Sequence, residues 1–118
     1  MEKKVVIGGC REYADYAFFK LRLDEILKDL SGEITIISGH CSGVDRMGER
    51  YAEEKGFRVK IFLPEWDKYG RAAGPMRNKE MVACADLIIA FWNGRSKGTS
   101  SLIQYAKIRK KELIVIDI

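Results

Sequence analysis

Five short apolar runs, each followed by a segment of different period, constrain this chain more than any other feature. The runs are Lys4–Gly8, Ile34–Ser38, Arg58–Phe62, Leu87–Trp92 and Leu113–Ile118. They are rich in Ile and Val and show little in/out alternation, the pattern of strands covered on both faces. The segments between them have helical spacing. The first carries Phe19, Leu23, Ile26, Leu27 and Leu30, with Ser31-Gly32 as its stop. The second carries Val44, Met47, Gly48, Tyr51 and Ala52 and stops at Gly56. The third starts at Gly74-Pro75, with proline at a natural first helical position, and carries Met81, Val82 and Ala85. The fourth starts after Gly98-Thr99 and carries Leu102, Tyr105 and Ala106.

Strict β-α alternation predicts an α/β, Rossmann-like, three-layer domain with a five-stranded parallel sheet and right-handed crossovers. The long connection Leu63–Ala73 follows the third strand. That is where a sheet of order 3-2-1-4-5 crosses to the other side of strand 1. The 118 residues fit one domain, residues 1–118, large enough to fold without disulfide or metal staples.

The charge balance, 21 Lys and Arg against 17 Asp and Glu, gives +4. That permits an anionic ligand without demanding a nucleic acid. Three widely spaced cysteines, Cys10, Cys41 and Cys84, fit neither a disulfide framework nor a zinc site. The expectation is a reducing, cytoplasmic compartment and no metal. Met1-Glu2-Lys3-Lys4 runs straight into Val5-Val6-Ile7, and the longest apolar run, Leu87–Trp92, is too short to span a bilayer.

In such a sheet the strand-to-helix loops share the carboxyl edge, where ligands bind near the point at which strand order reverses. Four loops are expected there: Gly8–Glu12, Ser38–Asp45, Gly74–Asn78 and Asn93–Thr99. Each leads to a helix N-terminus, whose free N–H groups and partial positive charge suit phosphate or carboxylate oxygens. Glycines allow close backbone approach. Arg11, Arg77, Arg95 and Lys97 add cationic donors.

Each element also has a plainer explanation. Glycines after strands make turns, and Ser42 and Thr99 are natural helix caps. Asp45 complements the dipole of the second helix, accepts from a sugar hydroxyl, or orients Arg77. Arg77 and Asn78 lie beside the face that Met81 buries, so Arg77 pairs with Asp45 or Glu12, reaches into the cleft, or does both. His40, the sole histidine, reads as a loop residue, and Cys10 and Cys41 read as small lining residues. Trp66 and Tyr69 either stack on a base or pin the long loop to the body. Arg109-Lys110-Lys111 reads as a solvated helix end.

Taken together, the four loops resemble the SLOG superfamily, which includes the Smf/DprA proteins and the LOG phosphoribohydrolases. The branch most similar to this chain is the small YspA/YpsA-related one. Gly9-Cys10-Arg11-Glu12 resembles that branch's Gly-Gly-Arg-Asp opening, and Ser38-Gly39 through Gly43-Val44-Asp45-Arg46 resembles its SGGARGAD segment. Pro64-Glu65-Trp66, Tyr69-Gly70, Ala73-Gly74-Pro75 and Arg77-Asn78 through Met81 resemble its third block. Gly94 through Gly98-Thr99 resembles its GGxGT block. The resemblance implies a Rossmann-like fold and a pocket for a nucleotide or nucleotide-derived ligand. Gly9, Cys10, Arg11, Gly39, Ser42, Gly43, Asp45, Arg77, Asn78, Gly94, Gly98 and Thr99 become the candidate binding residues.

LOG enzymes carry PGGxGTxxE, and nucleoside deoxyribosyltransferases a similar GTxxE; here Leu102 stands where the glutamate would be. The Asp common near Ser101 in the small branch is also missing. Cleavage of a glycosidic bond generally needs a positioned carboxylate. Asp45 and Glu12 are the remaining candidates for catalysis. The leading expectation is a nucleotide-binding module with no cofactor, phosphate at Gly98-Thr99 and Gly9–Arg11, and Arg77 paired with it. A nucleotide N-glycosidase ranks second and a single-stranded nucleic-acid binder third. A homo-oligomer stays open.

Overall fold

The computed structural model describes residues 2–118. Five parallel strands form one sheet: β1 (Glu2–Gly9), β2 (Glu33–Ser38), β3 (Arg58–Ile61), β4 (Leu87–Trp92) and β5 (Glu112–Asp117). Their order is β3-β2-β1-β4-β5, as the alternation and the long crossover predict. The helices are α1 (Tyr16–Leu27), α2 (Val44–Lys55), α3 (Trp66–Tyr69), α4 (Ala73–Cys84) and α5 (Lys97–Ile108), with a 3-10 turn at Gly70–Ala72.

The central strands carry apolar residues on both faces because both faces are covered. On β1, Val5 and Ile7 pack with Phe19, Leu23, Val44 and Tyr51 of α1 and α2. Val6, between them, turns to the opposite layer and packs with Met81, Val82, Leu102 and Ala106 of α4 and α5. On β4, Leu87, Ile89 and Phe91 join the first core and Ile88 the second. The two-residue period of a strand is thus present, hidden in the sequence because both phases are apolar.

Several local expectations need correction. Strand β3 is not buried: all four of its residues are exposed. It is an edge strand, and Arg58 and Lys60 put charge where an unpaired edge would otherwise invite another strand. Helix α1 stops at Leu27, with Lys28 as its cap, four residues before Ser31-Gly32. The Leu63–Ala73 connection folds into α3 and the 3-10 turn, so five helices replace four. Helix α4 begins at Ala73, which puts Pro75 inside the first turn; an N–H there would have no intrahelical acceptor, so its absence costs little. Helix α5 begins at Lys97, with Ser96 as the cap. No helix among the described residues is long and apolar enough to cross a membrane.

Candidate functional site

Strand β1 ends between its neighbours β2 and β4, and the chain there comes very close to its surroundings. A Cβ on Gly9 would lie 2.4 Å from the Phe91 carbonyl oxygen and 2.9 Å from a Val44 methyl, so only glycine fits. A Cβ on Gly8 would meet Leu102 Cδ2 at 2.8 Å. Cys10 N–H then donates to Phe91 O at 3.2 Å, which holds the first loop to the end of β4.

The second loop is locked onto the first. Gly43 has φ +73°, and a Cβ there would sit 2.4 Å from the carbonyl oxygens of both Cys10 and Arg11. Val44 N–H donates to Cys10 O at 3.2 Å, and Ser42 Oγ donates to Arg11 O at 3.2 Å. Ser42 is therefore a clasp between loops rather than the cap of α2, whose N-cap is Gly43. Thr99 is likewise no cap: Ser96 Oγ accepts from Thr99 N–H at 3.3 Å. Asn93 Oδ1 shapes the preceding turn by accepting from the amides of Arg95 and Ser96. With Thr99 N–H taken, the amides of Lys97 and Gly98 are first-turn donors of α5 without an intrahelical acceptor.

These loops surround a cleft of about 270 Å³. Gly9, Arg11, Asp45, Arg77, Asn78, Gly98 and Thr99, all singled out from the sequence, line it. Lys97, Cys41, Gly8, Ser96, Met81 and Leu102 complete the wall, the last two forming its apolar part. Cys10 is buried beneath the loop, and Gly43 joins loops rather than facing the cleft. Gly39 and Ser42 line an adjoining hollow. Gly94 is exposed in the turn before α5, and Glu12 is exposed and borders none of the described hollows.

Asp45 is the buried carboxylate of the cleft, 7% exposed. Its Oδ2 accepts from Cys41 N–H at 3.2 Å. Burial pushes its pKa up to about 6, against the opposing pull of backbone amides and the nearby Arg77 charge. Arg77 is 8% exposed; Nε and one terminal nitrogen are engaged, while the other terminal nitrogen has only Cys41 Sγ at 3.9 Å. One terminal nitrogen donates to Gly39 O at 2.7 Å and to Phe62 O at 3.5 Å, and Nε donates to Asn78 Oδ1 at 3.1 Å. It ties the ends of β2 and β3 to α4, and it influences Asp45 through space. Asn78, not Arg77, reaches α5: its Nδ2 donates to Gly98 O at 3.2 Å.

Sequence reasoning passed over a further cluster. His40 Nδ1 lies 2.8 and 3.0 Å from the two carboxylate oxygens of Glu49, and Ser38 Oγ donates to Glu49 at 2.7 Å. The available signal was position: Asp45 and Glu49 are one turn apart and share a face of α2.

The chain's relatives fit this architecture. The family model for the YspA, cpYpsA-related SLOG family matches residues 3–69, which hold the two loops clasped together at the cleft. Gene 61 protein of Mycobacterium phage D29 is 32% identical over 112 residues, 89% of each chain. The fold is similar to that of DNA processing protein A (DprA) from Streptococcus pneumoniae, with a TM-score of 0.74 at 16% identity. That match covers 98% of this chain and 50% of DprA, so the chain spans about half of the larger protein. From the family match and the phage relative, the chain belongs to the YspA, cpYpsA-related SLOG family.

Proposed function

We propose that the cleft binds a nucleotide or a nucleotide-derived small molecule and does not cleave it. One observation carries this reading: a single hollow combines three chemistries that a nucleotide needs. The first-turn amides of α5 with the Lys97 and Arg11 side chains offer donors and positive charge for phosphate. Asp45 offers an acceptor for a sugar hydroxyl. Met81 and Leu102 offer an apolar wall for a ring. Arg77, already bonded to backbone, preorganises the cleft and supplies charge at a distance.

Leu102 lines the cleft beside Gly8, where it offers neither a proton nor a lone pair. This supports binding over turnover. A hydrolase is the second reading, and the raised pKa of Asp45 favours it, because a carboxyl titrating near 6 suits general acid–base work near neutrality. Titration calorimetry with AMP, together with an assay for free adenine, separates the two. The expected result is saturable binding, weakened in Arg11→Ala, with no adenine released. Steady adenine release that disappears in Asp45→Asn replaces the binding module with an enzyme. No binding of AMP or any related nucleotide removes both.

A further inference from the structure

Beside the nucleotide cleft lies a second hollow of about 410 Å³, lined in part by Arg11, His40, Cys41, Ser42, Pro64 and Trp66. Arg11 and Cys41 border both hollows, so the two are adjoining lobes of one groove. Arg11 is the only cationic side chain among the described residues that lines the second lobe.

His40 is fixed in this lobe from several directions. Its Nδ1 faces the Glu49 carboxylate at 2.8 Å. Its backbone N–H donates to Ser38 Oγ at 3.0 Å, and its carbonyl accepts from Arg46 Nε at 3.3 Å. Its backbone is left-handed, φ +63°, a conformation uncommon outside glycine that histidine, like asparagine and aspartate, adopts more readily than other residues. With Nδ1 donating to Glu49, the remaining ring nitrogen, Nε2, is the one free to meet a ligand. Trp66 is 51% exposed, and its ring edge faces Gly74, where a Cβ would lie 3.4 Å from it. A half-open indole is a stacking platform.

We propose that the second lobe is a ring subsite, and that the protein's ligand contains two nucleoside-like rings joined through phosphates. The first unit occupies the Asp45 cleft, the bridging phosphates lie at Arg11, and the second ring stacks on Trp66 with a hydrogen bond to His40 Nε2. This rests on the nucleotide reading of the first lobe. The charge distribution favours a compact ligand over a nucleic-acid strand. A strand needs a track of cations along its backbone, whereas here Arg77 and Lys97 stay in the first lobe and Arg11 alone reaches the second.

The test compares AMP, ADP-ribose, NAD and diadenosine diphosphate by titration calorimetry on the intact chain. Stacking plus one hydrogen bond should make the two-ring ligands at least about tenfold tighter than ADP-ribose, which has the bridge without the second ring. Trp66→Ala should abolish that preference, and His40→Asn, which tolerates the left-handed backbone, should reduce it severalfold. Equal affinity for all four ligands overturns the ring subsite and leaves the nucleotide cleft standing. A preference that survives Trp66→Ala also overturns it. Failure of all four to bind overturns the subsite and the nucleotide reading together. An oligothymidine strand that binds more tightly than either two-ring ligand, with a steep salt dependence, overturns the small-molecule class in favour of single-stranded nucleic acid.

Discussion

Asp45→Asn should make the protein more stable relative to the wild type as pH rises, and the size of the effect follows from the burial of this carboxyl. In the folded chain its pKa is pushed from an ordinary 3.8 up to about 6, chiefly because burial penalises the charge. Between about pH 4 and 6 the folded state therefore holds more protons than the unfolded state, and this group's contribution to stability falls as pH rises. It is favourable below the unfolded value and fully lost above about 6. At about 1.4 kcal/mol per pH unit between the two values, the change is about 3 kcal/mol.

Asparagine keeps an oxygen for the Cys41 amide and carries no charge to desolvate. Urea unfolding of both proteins at several values from about pH 4 to 7.5 gives the difference directly. That difference should move by about 2–3 kcal/mol in favour of the variant across the range. Asp24 and Glu54 have lowered pKa values, from hydrogen bonds donated by Tyr51 and Tyr16 first of all, so they lose stability on acidification. Both proteins share them, and their contribution cancels. Parallel stability curves, or a difference running the other way, refute the account. A confirmed slope identifies a carboxylate that the fold tolerates at a cost, as expected where the group serves a ligand.

Arg77→Ala should lose about 2–4 kcal/mol in urea unfolding, since it strands the buried Gly39 carbonyl and removes a charged donor; a loss under about 1 kcal/mol refutes the clamp. The same variant should carry the titration of Asp45 to higher pH, because Arg77 is one of the groups holding it down; an NMR titration of the carboxyl checks it. Gly43→Ala should cost about 3 kcal/mol or more, since its Cβ would strike two carbonyl oxygens on a left-handed backbone. Gly94→Ala, at φ +80° with nothing within 4 Å, should cost only about 1 kcal/mol of backbone strain. Equal melting temperatures for these two variants would show that loop contact is unimportant.

The sequence by itself determined the strand count, the alternation and the strand order, because these follow from local periodicity and connection length. Val5, Val6 and Ile7 are apolar in succession, and that suffices to place β1 between two layers. The carboxyl edge then gathered Arg11, Asp45, Asn78 and Gly98 at one cleft without knowledge of any side-chain position. Edge exposure was only partly legible: Arg58 and Lys60 alternate with the apolar residues of β3, but only its place at the end of the sheet leaves Val59 and Ile61 exposed. The duties of individual polar residues were also hidden. The sequence leaves Arg77 between a ligand contact and a structural clamp, and the clamp shows only when the end of β2 brings Gly39 O within 2.7 Å. For Ser42 and Thr99 the cap alternative falls only once the neighbouring loops take one and Ser96 displaces the other. The pairing of His40 with Glu49 depends on a left-handed turn that aims the ring back at α2. Periodicity records which residues must avoid water. Hydrogen-bond partners and the desolvation of Asp45 depend on distances across the chain, and those exist only once the sheet has closed around its loops.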